Sequence, residues 1–414
     1  MKSFNETGSD NKRIRCVLMF VYMFLCCLNQ YVKVMGIPLF ICILLLYSCV
    51  RIYSDSFLIR NSIGAIWKPF SWHFCFFVVW ILTGIIFAFI VNNEAGWRNT
   101  LYIIINIIGY YYVFSDCYYF ENIRKWCMKG LGAGILANII VALWELKSGK
   151  HIMTLSEDYI RRFASRPLGF YVNTNDLAIV LIFMLTAFAV GYIYNTKSLR
   201  RTIVFAIISI TGCGIIVSTG SVISIAAIIC LVIFSVLYYQ FRTKNKAGYL
   251  IVVMGIFCII MVLAIDGGSI ISIFASIDES AFLGRQEIWK ITWDLFQSTM
   301  FLGIGPGQNT VVGYGSVHNL ALEILSEYGC IIGFLFISLF ISLIKGIMKL
   351  KKSFINSVVV SFGILFIPLS ICSSSMTKLF PIWPCIGLLL AFAFNDNESL
   401  LIKSQAVNKE NPGG

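Results

Sequence analysis

The chain has 414 residues, of which 58% are hydrophobic and only 13% are charged, and its formal net charge is +12. A soluble protein of this size needs about 25% charged residues to cover its surface, so the composition excludes a soluble enzyme and indicates a polytopic membrane protein. In a membrane protein, a positive net charge comes from Lys and Arg in the loops, most of all in the cytoplasmic ones. We therefore expect no nucleic-acid partner.

Apolar segments of about 20 residues, the length that crosses the hydrocarbon core, recur along the chain. They predict an all-α fold, with about 12 transmembrane helices in a single integral membrane domain over residues 1–414. The predicted spans are 16–31, 35–53, 70–91, 100–120, 128–146, 176–194, 202–217, 221–240, 248–266, 319–344, 354–372 and 379–395. An even number of spans places both termini on the same side of the membrane.

The distribution of basic residues sets the orientation, because cytoplasmic loops are enriched in Lys and Arg. Of the 32 Lys and Arg residues, 22 lie in the segments on the N-terminal side of the predicted membrane. Both termini are therefore expected in the cytoplasm. Of the remaining ten, seven lie in two long extracytoplasmic loops, 147–175 and 267–318, where they are retained against this bias.

The first outer loop, 147–175, combines arginines with carboxylates. It contains Arg162 and Arg166, and its end carries the pattern Asn173-x-Asn175 directly before the sixth span. Asn at such a boundary can cap a helix, and arginine suits the bidentate recognition of phosphate or carboxylate. The loop is therefore interpreted either as an anion site just above the membrane or as a solvated loop whose charges face water.

Two glycine-containing segments predict turns on the outer side. Ser218–Ser221 (STGS) joins the seventh and eighth spans, and its small residues let the two backbones approach closely. Gly303–Gly307 (GIGPG) is not a phosphate-binding P-loop, because no Gly-Lys-Ser/Thr sequence follows it. We interpret it as a turn that lets the chain re-enter the membrane.

The second outer loop, 267–318, contains an amphipathic helix. Large apolar residues recur at the spacing of one helical face: Trp289, Trp293, Phe296 and Met300. This pattern is typical of a helix that lies in the membrane interface, with polar residues such as Lys290 on the opposite face. Arg285 is predicted in its first turn, where the helix N-terminus and the guanidinium would both favour an anion. The alternative is that Arg285 is an ordinary surface charge.

His318 and two carboxylates lie where this loop meets the tenth span. A histidine at a water–membrane boundary can exchange protons near neutral pH, although a lone histidine is usually structural. Glu323 and Glu327 follow one and two turns deeper, and intramembrane carboxylates usually face a cavity or a partner such as an arginine. No metal-ligand cluster or nucleotide-binding motif accompanies them, so we expect neither a metal nor another cofactor.

Four blocks occur in order along the chain. They are RPLGFYVNTND (166–176), STGS (218–221), R-x-x-x-W followed by GIGPG (285–307) and HNLALEILSEYGCIIG (318–333). Together with the hydropathy profile, they resemble the O-antigen ligase/polymerase family of bacterial polysaccharide assembly. The resemblance implies a GT-C-like glycosyltransferase in the bacterial cytoplasmic (inner) membrane. The STGS block lacks the arginine that many ligases carry there, which favours a polymerase.

The resemblance implies a specific reaction. A polymerase of this kind joins undecaprenyl-pyrophosphate-linked oligosaccharide repeats of O-antigen, capsule or exopolysaccharide on the outer face of the membrane, with inversion and without a metal. Its expected partners are that lipid-linked oligosaccharide, membrane lipid and a chain-length regulator protein. Two alternatives stay open: an O-antigen ligase that transfers glycan to lipid A–core, and a flippase or transporter of lipid-linked sugars.

The predicted residue roles follow from the chemistry of the leaving group. Pyrophosphate gathers negative charge as it departs, and fixed arginines stabilise such charge. Arg166 and Arg285 are therefore predicted as catalytic residues, and His318 is predicted to deprotonate the acceptor hydroxyl or, when protonated, to bind phosphate. The predicted substrate-binding residues are Arg162, Lys290, Glu323 and Asn319, with Glu323 orienting His318 or an arginine.

Overall fold

The computed structural model of the chain describes residues 9–55, 58–153, 165–195, 199–244, 279–311, 316–350, 352–371 and 375–410. Within these ranges the helices are α1 (Ser9–Cys27), α2 (Leu39–Asp55), α3 (Leu58–Val91), α4 (Glu94–Tyr119), α5 (Glu121–Ser148), α6 (Thr174–Asn195), α7 (Leu199–Ser218), α8 (Val222–Thr243), α9 (Glu279–Ser298), α10 (Gln308–Val311), α11 (Leu320–Lys349), α12 (Phe354–Ser370) and α13 (Ile382–Glu410). A small antiparallel hairpin, β1 (Lys33–Val34) and β2 (Ile37–Pro38), joins α1 to α2.

The helices agree with the apolar pattern of the sequence. Eleven of the predicted spans coincide with helices, and the ninth, 248–266, lies outside the described residues. In the described chain, α4, α5, α6, α7, α8 and α11 are long and apolar enough to cross a membrane, and shorter apolar stretches lie in α2, α3, α12 and α13. An all-α membrane protein is therefore confirmed, whereas the total of about 12 spans stays a prediction.

Polar side chains fix where several of these helices begin. The Asn93 side chain accepts from the Gly96 amide at 2.8 Å and starts α4, and Ser353 accepts from the Asn356 amide at 3.1 Å and starts α12. At the start of α6, the Asn173 side chain accepts from the Asn175 amide at 2.9 Å, which confirms the predicted cap. Each cap satisfies an amide that the first helical turn leaves without a partner.

α6 is deeply buried and packs against α5 and α13. Every residue from Leu177 to Met184 is at most 2% exposed. A helix that is apolar all round belongs in the interior of a bundle. Because α6 is central, the end of the first outer loop is anchored to the core of the molecule.

One buried carboxylate joins three helices at the end of the bundle that the sequence places in the cytoplasm. Asp116 of α4 is 1% exposed and lies 2.9 Å from Arg15 of α1 and 3.1 Å from Arg51 of α2. The Tyr47 hydroxyl donates to the same carboxylate. A buried charge needs this kind of pairing, because an unpaired ion is costly to desolvate.

Candidate functional site

The helix α9 packs along α11, and one hydrogen bond fixes its position. Trp289 Nε1 donates to the carbonyl oxygen of Val317 at 2.9 Å. Arg285 precedes Trp289 by four residues, so both side chains lie on the same face of α9. His318 follows Val317 directly. The contact therefore brings two of the predicted catalytic residues to the same end of α11.

The predicted start of this helix was wrong. α9 begins at Glu279, so Arg285 lies beyond the first turn and gains no anion-binding contribution from the helix N-terminus. The reason lies in the residues upstream, where Ala281 and Leu283 favour helix strongly enough for the helix to continue through Gly284.

One face of α9 packs against the rest of the protein. Thr292 and Phe296 are each 2% exposed, whereas Trp293 is 43% exposed. Met300 lies beyond the end of the helix, with a positive φ of 53°. The buried side of α9 thus runs along Trp289, Thr292 and Phe296.

The two basic residues of α9 are available to a ligand. Arg285 is partly buried and Lys290 is exposed. Neither makes a hydrogen bond or ion pair with another residue in the part of the chain that the structure describes. A guanidinium with no partner among the described residues is suited to bind phosphate in a bidentate way.

His318 has an unusual backbone conformation for a residue with a side chain. Its φ is 53°, in the left-handed region that non-glycine residues rarely adopt. The next residue, Asn319, caps α11, and its side-chain oxygen accepts from the Leu322 amide at 3.2 Å. This cap is a structural role for Asn319, whose predicted substrate contact stays a prediction. The imidazole is therefore positioned at the outer start of α11 by a strained backbone.

α11 is broken at Gly329, where φ is 84° and ψ is 173°. The break leaves backbone groups without helical partners, and the segment 301–305 supplies them. The amide of Ile304 donates to the Ser326 carbonyl at 2.7 Å, and the amide of Gly305 donates to the Glu327 carbonyl at 3.0 Å. In the other direction, the Cys330 amide donates to the Phe301 carbonyl at 2.9 Å. Backbone at membrane depth needs such internal partners.

Glycine is required on both sides of this contact. A Cβ atom at Gly303 would lie 2.7 Å from the amide nitrogen of Gly329, and one at Gly329 would overlap the carbonyl of Leu302. Both residues also have positive φ, and Gly303 belongs to the predicted turn. The GIGPG motif thus serves the close approach of two backbones.

The far end of the glycine loop is fixed to α4. Gln308 Nε2 donates to Asn93 Oδ1 at 3.1 Å, and Asn93 Nδ2 donates to Gln308 Oε1 at 2.9 Å. Asn93 is also the cap of α4. The loop is therefore held between the beginning of α4 and the break in α11.

Both carboxylates of α11 are buried and bind neutral groups. Glu323 Oε1 accepts from Ser375 Oγ at 2.6 Å and from Thr377 Oγ1 at 3.2 Å. Glu327 Oε1 accepts from Asn309 Nδ2 at 3.2 Å. The described partners of Glu323 are thus two hydroxyls, and its predicted role in orienting His318 or an arginine stays a prediction.

Sequence reasoning missed the groups that hold these carboxylates. Ser375 and Thr377 belong to a polar segment before the last span, and Asn309 directly follows the glycine loop. Polar residues at the boundary of an apolar span were the available signal. Their pairing with α11 was not visible, because it joins segments far apart in the chain.

The first two blocks of the resemblance meet in space. Gly220, in the turn between α7 and α8, has a φ of 70°, and a Cβ atom built on it would lie 3.0 Å from Arg166 Cζ. The exposed Arg166 side chain thus brings a guanidinium to the STGS turn, which has no arginine of its own. Arg162, the other predicted base of this loop, lies outside the described residues.

An apolar cavity lies between α3, α4, α11, α12 and α13. Its walls are aromatic and aliphatic, and include Phe77, Phe336, Phe362 and Trp383. Trp383 Nε1 donates to the Met376 carbonyl at 3.1 Å. Through Trp383, the cavity adjoins the segment that binds Glu323.

A comparison with known families agrees with this architecture. A family model described as O-antigen ligase matches residues 205–338, and no curated protein matches the chain. The matched region contains α8, α9, the glycine loop, His318 and the break in α11, whereas Arg166 precedes it. Members of this family are membrane glycosyltransferase-like enzymes. Residues 205–338 are thus similar to the O-antigen ligase family, which confirms the resemblance to the O-antigen ligase/polymerase family over this part of the chain.

Proposed function

We propose that this protein is a polysaccharide polymerase that joins undecaprenyl-pyrophosphate-linked oligosaccharide repeats on the outer face of the bacterial cytoplasmic membrane. The observation that carries the proposal is the hydrogen bond from Trp289 to Val317, which brings Arg285 and His318 to the same end of α11. These side chains supply the two functions that the reaction needs. One is a cation for the leaving pyrophosphate, and the other is an acceptor for the hydroxyl proton.

The proposed step is a single displacement at the anomeric carbon. The acceptor hydroxyl oxygen forms the new bond to this carbon while the bond to the pyrophosphate oxygen breaks, and the pyrophosphate leaves with the bonding electron pair. His318 takes the hydroxyl proton. Arg285 and Arg166 stabilise the negative charge that develops on the leaving group. Because the donor is already activated by pyrophosphate, the step needs no nucleotide. Because it is a single displacement, it inverts the anomeric configuration.

The apolar cavity supports a lipid-linked donor. A polyprenyl chain is stabilised by burial against apolar side chains, and such side chains line the space between α11, α12 and α13. The cavity adjoins the polar segment that binds Glu323 through Trp383. A carrier lipid seated there would have its headgroup directed towards the outer ends of these helices.

The experiment uses the purified protein in lipid nanodiscs with a synthetic undecaprenyl-pyrophosphate-linked repeat unit. We expect a ladder of products that differ by one repeat, together with released undecaprenyl pyrophosphate and without added nucleotide. Transfer to lipid A–core in place of repeat addition would identify a ligase. Movement of the lipid-linked sugar across a bilayer without a new glycosidic bond would identify a transporter, and either result would overturn the proposal.

A further inference from the structure

The two ends of the first outer loop are joined by one buried carboxylate. Glu145 lies in the last turn of α5 and is 1% exposed. Its Oε2 atom accepts from the amide of Leu168 at 2.6 Å and from the amide of Gly169 at 2.8 Å. Its Oε1 atom accepts from the amide of Ile152 at 3.3 Å. Residues on both sides of the segment 153–167 are thus bound to the same side chain.

In this arrangement both side-chain oxygens of Glu145 act as acceptors. All three partners are backbone N–H donors, and hydrogen bonds from such donors to a charged acceptor are stronger than neutral ones. A glutamine at position 145 would replace one acceptor oxygen by an NH₂ group, which would face a donor and leave a buried amide unsatisfied. His151 packs beside the carboxylate, with Nδ1 3.5 Å from Glu145 Oε1.

The anchor is close to Arg166 along the chain. Leu168 is fully buried, and Pro167 between the two residues is also buried. Proline fixes its own φ and restricts the residue before it. The backbone of Arg166 is therefore set by the hydrogen bonds of Leu168 and Gly169, and its guanidinium lies over Gly220.

We propose that Glu145 is a positioning residue, which holds Arg166 over the Ser218–Ser221 turn so that the guanidinium meets the pyrophosphate of the donor. The role of Arg166 in this statement rests on the proposed function. The link from Glu145 to the location of Arg166 does not, and it can be measured without any assay of activity.

The first measurement is a crosslink between the loop and the turn. Arg166→Cys and Ser218→Cys are introduced together in a background without other cysteines, and membranes are treated with a short bifunctional thiol reagent. Glu145→Gln should lower the crosslinked fraction several-fold. The matched control is Glu121→Gln on the same helix, because among the described residues Glu121 forms an exposed pair with Lys125 at 2.7 Å. An unchanged crosslink in Glu145→Gln would overturn the proposal.

The second measurement is a double-mutant cycle between Glu145 and Arg166, made without the crosslinking cysteines. Glu145→Gln should raise the KM for the lipid-linked donor about tenfold, as the loss of buried hydrogen bonds predicts, and should add little to the loss caused by Arg166→Ala. Losses that multiply would show that Glu145 supports the fold independently of Arg166, which overturns the proposal. A weakened crosslink with normal rates for both Glu145→Gln and Arg166→Ala would show that Glu145 positions Arg166. It would also refute the pyrophosphate role of Arg166.

A conservative variant covers the case in which Glu145→Gln does not accumulate in the membrane. Glu145→Asp keeps the charge on a shorter side chain, which cannot reach both Ile152 and Leu168. The crosslinked fraction should then fall to an intermediate value. A fraction equal to that of the parent would count against the proposal as firmly as an unchanged Glu145→Gln variant.

Discussion

The indole N–H of Trp289 donates to the carbonyl oxygen of Val317 at 2.9 Å, across the contact between α9 and α11. Trp289→Phe removes this hydrogen bond and keeps an aromatic ring. We expect a loss of about 1 kcal/mol in stability. Polymerisation should fall as well, because Arg285 and His318 would no longer be held at the same end of α11. Trp293→Phe is the control on the same helix, since Trp293 is 43% exposed. Equal activities of the two variants would contradict the role of this contact.

Arg285 should not tolerate lysine. Arg285→Lys keeps the positive charge and loses the planar fork that binds phosphate in a bidentate way. We expect strongly reduced polymerisation at normal protein levels, and a similar loss for Arg166→Ala. The control is Arg98→Lys, because Arg98 forms an exposed pair with Glu94 at 3.4 Å within the described part of the chain. The measurement is the length of the product ladder. Full-length polymer from Arg285→Lys would refute the pyrophosphate role of Arg285.

His318 should be needed in its neutral form. His318→Ala should lose on the order of 10²-fold in rate, as for a positioned general base. The wild-type rate should fall as the pH is lowered below neutral, because an imidazole that gains a proton can no longer accept one. If His318 binds phosphate as a cation, the acid-side loss should be absent and His318→Arg should keep part of the activity. Wild-type rates for His318→Ala both at neutral pH and below it would leave His318 a structural residue.

The break in α11 can be tested with a pair of glycines from the same helix. Gly329→Ala places a Cβ against the Leu302 carbonyl at a φ of 84°, and we expect a loss of about 2–3 kcal/mol in stability with loss of activity. Gly346→Ala meets no atom within 4 Å and lies in regular helix. It should be neutral or stabilising by up to about 1 kcal/mol. Thermal unfolding of the two variants in nanodiscs would compare them directly.

The orientation of the chain can be tested by thiol labelling. Single cysteines at Ser156 and Gly313, in a background without other cysteines, should react with an impermeant reagent in intact cells or spheroplasts. A cysteine at Asn245 should not react. All three positions lie outside the described residues, so this prediction depends on the distribution of Lys and Arg alone. Reversed labelling would move the candidate site away from the side of the lipid-linked donor.

Local pattern was sufficient to predict most helices and turns. Apolar runs located the helices, Asn173 was predicted as a helix cap, and the glycines of 303–307 were predicted to form a turn. These features depend on residues close in sequence, where periodicity and turn chemistry are informative.

Contacts between distant segments could not be predicted. The positive φ of Gly329 is specified by the loop 301–305 that packs on it, and the partners of Glu323 come from residues 375 and 377. The hydrogen bonds of Glu145 could not be predicted either. Their donors are backbone amides, which are the same for nearly every residue type and so leave no pattern in the sequence. Arg285 was assigned to the wrong turn because helix beginnings depend on weak local preferences.

The break at Gly329 also changes how α11 matches the thickness of a bilayer. A continuous helix of its 30 residues would be about 45 Å long, well above the hydrocarbon thickness of about 30 Å. The 15 apolar residues from 330 to 344 extend only about 22 Å, and Lys345 follows them on the side that the sequence places in the cytoplasm. The rest of the hydrocarbon layer is therefore crossed by residues on the outer side of the break. Glu323 and Glu327 lie in this outer piece, and their hydroxyl and amide partners keep both buried carboxylates away from lipid.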